Sequence, residues 1–147
     1  MSQLNSEHFD LHRFVSAQQP VYAAALAELK ASSKRTHWMW FVFPQAEGLG
    51  HSAMAQRYAI RSMDEAIAYL AHPLLGTRLA ECTRAMLGAT GSAHSILGSP
   101  DDLKFRSSMT LFGAADSGSL YREALQRFFG GEEDPVTVDI IKEWRTA

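Results

Sequence analysis

HWMWFVFPQ, residues 37–45, sets two Trp, two Phe, a Met and a Val in the six positions 38–43, and whether it forms a strand or a helix decides the fold. As a strand it would lead into Gly48-Leu49-Gly50-His51-Ser52-Ala53, which fits the G-x-G-x-x-A pattern of a dinucleotide-binding loop. Two features oppose that reading. Pro44 to Glu47 separate the run from the first glycine, and the rest of the chain lacks the alternating strand and helix units of a parallel sheet. As a helix the run points large apolar groups in every direction, which does not suit a surface helix. It therefore predicts a short buried helix at the centre of a bundle, capped by Thr36 and ended by Pro44, although so short a run does not exclude a strand. One Trp edge is expected to line a pocket beside Gln45 and the glycine turn.

Outward from this run the periodicity is helical. Gln18 to Ala31 carries Val21, Ala25, Leu26 and Leu29 on one face, with Pro20 in the first turn and Ser32 to Lys34 ending it. Gly48 to Gly50 lead into a helix at Ser52. Ser62 and Glu65 match a capping box, and His72-Pro73 ends the helix they open. Leu75, Leu79, Cys82, Met86 and Leu87 mark the next helix, which stops at Gly88 to Gly91. Ser99 is expected to cap a helix with Pro100 in its first position and Asp101 and Asp102 at its positive dipole end. In GSPDDLKFRSSMTLF (98–112), apolar groups on several faces predict a helix in the middle of the bundle, whose Ser and Thr hydroxyls return their hydrogen bonds to backbone carbonyls. Ser119 to Gly131 frame another helix, and Asp134-Pro135 opens the last, where VTVDII has some strand preference. No alternating run is both long and turn-bounded. The expected fold class is all-α, a compact single-domain bundle of about six to eight short helices over residues 1–147.

Composition narrows the function classes. With 147 residues and 46% hydrophobic content the chain suits one core. A net charge of -2 gives no general footprint for nucleic acid. No apolar stretch approaches the ~20 residues of a membrane span, and the N-terminal MSQLNSEHFDLHRF lacks the basic start of a signal peptide, so a cytoplasmic protein without membrane association is expected. The single cysteine, Cys82, reads as a buried thiol in a reducing compartment.

The chain contains no HExxH, no GxxxxGK followed by Ser or Thr, no GxSxG, no CxxC and no EF-hand loop. Among the histidines only His8 and His12 fall at helical i, i+4 spacing, without a third ligand nearby, so neither a metal nor a cofactor is indicated. His37 and His51 flank the aromatic run and the glycine turn, where either can hydrogen-bond a ligand. The glycines serve a turn that needs their dihedrals, or leave backbone N–H groups for an anion.

With these segments in view the chain resembles the uncharacterised family DUF1810. The likeness runs through LHRFVSAQQPVYAAALAELKASSKRTHWMWFVFPQ, GLGHSAMAQRYAI, YLAHPLLGTRLAECTRAML and SAHSILGSPDDLKFRSSMTLF, and spans roughly residues 10–131. It implies a small all-helical domain and brings no established activity or cofactor. More distantly, and in residue types only, the chain is similar to NADAR proteins, helical domains linked to ADP-ribose chemistry. Their Glu-His-Tyr-type stretch has no counterpart here, so no catalytic residue is carried over.

Two functional expectations follow. The first is a site that binds a small anionic, nucleotide- or ADP-ribose-like ligand, with hydrolysis of that ligand left as an open option. There His37, Trp38, Trp40, Gln45, Gly48, Gly50, His51, Lys104 and Arg106 bind, Lys34 or Arg35 help hold the anion, and Asp101 or Asp102 is the general base. The alternative is a protein-protein interaction module without catalysis, with HWMWFVFPQ as its aromatic anchor. The oligomeric state expected is monomer or weak homo-oligomer.

Overall fold

The computed structural model describes residues 9–146, which hold ten helices. In chain order they are α1 (His12–Gln18), α2 (Tyr22–Lys30), α3 (Met39–Val42), α4 (Ala53–Arg57), α5 (Met63–Ala71), α6 (Leu75–Gly88), α7 (Ala93–Leu97), α8 (Asp101–Ala115), α9 (Leu120–Phe129) and α10 (Pro135–Thr146). The fold is all-α, and the described residues contain one isolated parallel bridge, Ala46 with Ile60, and no named strand. That excludes the dinucleotide-binding architecture, which needs a parallel sheet. The helix number exceeds the six to eight expected because α1 and α7 span only 7 and 5 residues, too short for an apolar stripe to repeat. VTVDII is helical within α10, where Asp134 accepts hydrogen bonds from Thr137 N–H at 3.0 Å and Thr137 Oγ1 at 2.6 Å, capping the start.

α8 is the central helix, packed against α5, α7, α9 and α10, while α6 packs on α2, α3, α5 and α9. Every residue of α8 from Ser107 to Gly113 is buried, together with Phe105. Its hydroxyls behave largely as expected: Ser107 Oγ donates to Leu103 O at 3.1 Å and Thr110 Oγ1 to Arg106 O at 2.8 Å, whereas buried Ser108 Oγ has no partner. Phe105 meets Phe43, Phe128 and Phe129 with ring centroids 4.9 to 6.3 Å apart, tying the aromatic run to α9.

The helix ends correct three expectations. Ser62 Oγ does accept from Glu65 N–H at 3.0 Å, but the Glu65 carboxylate does not return the bond to Ser62. It accepts instead from Arg61 N–H at 2.7 Å and pairs with Arg13 at 2.9 Å, because a charge buried to 3% exposure needs a cation more than a cap needs its second bond. Ser99 is not the N-cap of α8; Pro100 occupies that place and the Ser99–Pro100 peptide is cis. Thr36 does not cap α3, since its hydroxyl and its N–H are both bound by Glu28, and Trp38 stands at the N-cap. His72 supplies a cap that the sequence reading lacked. Its Nδ1 accepts from Leu74 and Leu75 N–H at 3.1 and 3.2 Å ahead of α6, and burial holds the ring below its usual pKa. At Gly76 a methyl group would collide with the Leu70 carbonyl oxygen, so glycine lets α5 and α6 approach there.

Candidate functional site

The single-turn helix α3 follows an irregular link from α2, and its position depends on Glu28. The Glu28 carboxylate accepts hydrogen bonds from Arg35 N–H (2.8 Å), Thr36 N–H (3.0 Å), Thr36 Oγ1 (2.6 Å) and Trp38 Nε1 (2.9 Å). Burial pushes this carboxyl up, but the four donors outweigh it and hold the pKa down, from 4.5 to about 2. A depressed carboxylate contributes stability that is fully present above its unfolded pKa and is lost as pH falls through the folded one. Glu28→Gln is therefore expected to lower stability by about 1–2 kcal/mol at pH 7, allowing for the solvent at its edge. The gap from wild type should narrow between pH 4.5 and pH 2 in urea unfolding series. A gap that stays constant across that window would remove Glu28 as the pH-sensitive tie.

This tie sends the two indoles in different directions. Trp38 is fully buried, and Trp40 is only partly covered. Lys34 Nζ lies 5.2 Å from the Trp38 ring centroid and Lys104 Nζ 5.4 Å from that of Trp40, both within cation–π range. Asp101 Oδ2 pairs with Lys34 Nζ at 2.9 Å, and Asp101 Oδ1 with Lys104 Nζ at 3.5 Å. The HWMWFVFPQ and SPDDLK segments thus meet. Between them lies a cleft of about 270 Å³ lined by Lys34, His37, Trp38, Met39, Trp40, Ser99, Pro100, Asp101 and Lys104.

A second cavity of about 460 Å³ adjoins it, with Trp40, Pro100 and Lys104 as common walls. Its other lining residues are Gln45, Leu49, Gly50, His51, Ser52, Ala55, Leu103 and Ser107. The Gln45 wall is anchored by the parallel bridge, in which Ile60 N–H donates to Gln45 O and Glu47 N–H to Ile60 O, both at 2.9 Å. Trp40 is the indole edge expected beside Gln45 and the glycine turn. Gly48 has φ 108°, a left-handed conformation that favours glycine, and a side chain at Gly50 would run into Ala55.

Of the expected site residues, Asp101, His37, Trp38, Trp40 and Lys104 line the cleft, and Gln45, Gly50 and His51 line the cavity beside it. Asp102, Arg106 and Gly48 line neither. Asp102 sits 3.5 Å from His94 Nδ1 and accepts from Leu103 N–H at 2.9 Å. Arg106 turns to Glu132 and Asp134, at 3.8 and 3.5 Å. One turn of helix separates Asp102 and Arg106, and both leave the face that carries Asp101 and Lys104. Lys34 joins the site and Arg35 does not line it. Leu49, Leu103 and Ser107 were missed, as was Glu28, which reads in the sequence as one more polar position on a helix face.

Cys82 is buried, and burial pushes its thiol up to about 12, against a nucleophilic role. His8 lies outside the described residues, and among those described no group of three or more His, Cys, Asp or Glu is placed to hold a metal. No helix among them is long and apolar enough to cross a membrane.

Among solved structures, the chain is similar to the conserved hypothetical protein Rv1873 from Mycobacterium tuberculosis, solved at 1.38 Å. The sequences are 52% identical, the match covers 91% of this chain and 97% of that one, and the TM-score is 0.90. No curated protein matches. The family model described as "Protein of unknown function (DUF1810)" matches residues 8–141, taking in all four segments that carry the resemblance, and the chain belongs to the DUF1810 family.

Proposed function

We propose that the cleft between α3 and the start of α8 binds a small anionic ligand of the nucleotide or ADP-ribose kind. The observation that carries this reading is the Lys34–Asp101–Lys104 cluster. Two ammonium groups face one carboxylate beside two indoles, leaving a positive balance in a concave, partly apolar setting. Lys34 has only 8% of its side chain exposed, so its charge is screened less than that of a surface lysine.

Binding is better supported than hydrolysis. A general base needs an oxygen open to the attacking water, and both Asp101 oxygens face lysine ammonium groups. The interaction-module reading has less support. Trp38 is buried, and the exposed large apolar side chains Met54, Ile67, Leu103 and Val136 stand on four different helices.

Thermal-shift measurements with inorganic phosphate, nucleotides, ADP-ribose and sugar phosphates test the proposal. A bound anion at a hundred times its Kd adds about 2.7 kcal/mol, which raises Tm by roughly 5–10 °C in a domain of this size. The Lys34→Met/Lys104→Met double variant is expected to keep its fold and lose that shift. No shift with any anion in the wild-type chain would overturn the reading.

A further inference from the structure

The cleft by itself is small for a ligand of the kind just proposed. Its volume of about 270 Å³ falls below the ~300–1,000 Å³ of typical small-molecule pockets, whereas the adjoining cavity, about 460 Å³, lies within that range. The two are chemically unlike. The cleft carries Lys34, Lys104 and Asp101, and the adjoining cavity has apolar walls in Leu49 and Leu103 with polar groups in Gln45 and His51.

We propose that the two spaces are halves of one site for a nucleoside monophosphate, an assignment that rests on the anion-binding reading above. The phosphate lies between Lys34 and Lys104. The heterocycle lies in the larger cavity against Trp40, the wall both halves share, with Leu103 on its other side. Gln45 reads its edge, because an amide offers both a donor and an acceptor and its backbone is fixed to Ile60. The lysines suit one phosphate: both ammonium groups meet the single Asp101 carboxylate, so they converge on one place in the cleft. Two ammonium groups less one carboxylate leave about one positive charge there to meet the about −1.5 to −2 of a phosphate monoester.

Calorimetric titration of the full chain with inorganic phosphate, adenosine, adenosine 5′-monophosphate and ADP-ribose tests the assignment. The monophosphate is expected to bind on the order of ten- to a hundredfold tighter than inorganic phosphate, the effect of stacking one base on one aromatic ring. It should also bind more tightly than adenosine or ADP-ribose. Leu103→Ala removes an exposed wall of the larger cavity, and Ala55→Phe fills that cavity. Both variants should reduce monophosphate binding toward the level of inorganic phosphate and leave phosphate binding unchanged, with circular dichroism confirming the fold. Equal affinities for phosphate and the monophosphate, or full monophosphate affinity in both variants, would overturn the two-part site while leaving an anion site in place. Tighter binding of ADP-ribose would overturn the choice of a monophosphate. No binding of either phosphate or the monophosphate would overturn this assignment together with the reading it rests on.

Discussion

Trp38→Ala is expected to destabilise the protein by about 3–5 kcal/mol, the range for removing a fully buried large aromatic side chain. Two losses combine at this position. The indole fills space beside Phe43, with ring centroids 6.2 Å apart, and its Nε1 is one of the four donors that Glu28 gathers. Without the ring a cavity opens under α3 and the Glu28 carboxylate loses a partner. The change should appear in urea unfolding as a lower midpoint with an unchanged slope. Trp40→Ala provides the control. Trp40 is partly exposed and lines both the cleft and the adjoining cavity, so its replacement is expected to cost less than about 2 kcal/mol of stability. A Trp40 variant as destabilised as the Trp38 variant would refute the division between a core indole and a site indole.

Arg13→Met is the second large effect, at about 3–5 kcal/mol, because it leaves a buried carboxylate without its cation. Arg13 and Glu65 are 2.9 Å apart with 8% and 3% of their side chains exposed. Arg13 also donates to the carbonyls of Phe9, Asp10, Arg57 and Ala59 at 2.8 to 2.9 Å, so one guanidinium joins the start of α1, the end of α4 and the start of α5. The double variant Arg13→Met/Glu65→Met should recover part of the loss, since an apolar pair of similar size carries no unpaired charge. Equal unfolding midpoints for Arg13→Met and wild type would show that Glu65 finds another partner. The ion pair also bears on the site. It holds residues 57–61, and Ile60 in that segment anchors Gln45 through the parallel bridge. Loosening it is expected to weaken ligand affinity as well as stability.

The candidate site was legible as a pair of segments and illegible as a set of contacts. Trp40, Gln45 and His51 stand close together in the chain, and their shared cavity agrees with the expectation of an indole beside the glycine turn. Asp101 and Asp102 are equivalent in sequence, two acids in the first turn of one helix, yet only Asp101 lines the cleft. Rotation of about 100° per residue separates them, and the seating of α8 among α5, α7, α9 and α10 decides which one faces the lysines. Arg106 was expected beside the ligand for the same reason and instead faces the loop ahead of α10.

The sequence by itself determined the helical class, the burial of α8 and most helix ends. These follow from local chemistry: apolar spacing, proline and glycine dihedrals, and caps within a few residues of what they cap. It did not determine the partners of its charged groups. Glu28 finds Trp38, Glu65 finds Arg13 and Lys34 finds Asp101 across 10, 52 and 67 positions of the chain. Charges attract through space without regard to sequence distance, and once packed away from water each must meet an opposite group or donor that only the assembled bundle brings near. Tertiary structure therefore decided where the candidate cleft lies and which of two neighbouring aspartates lines it.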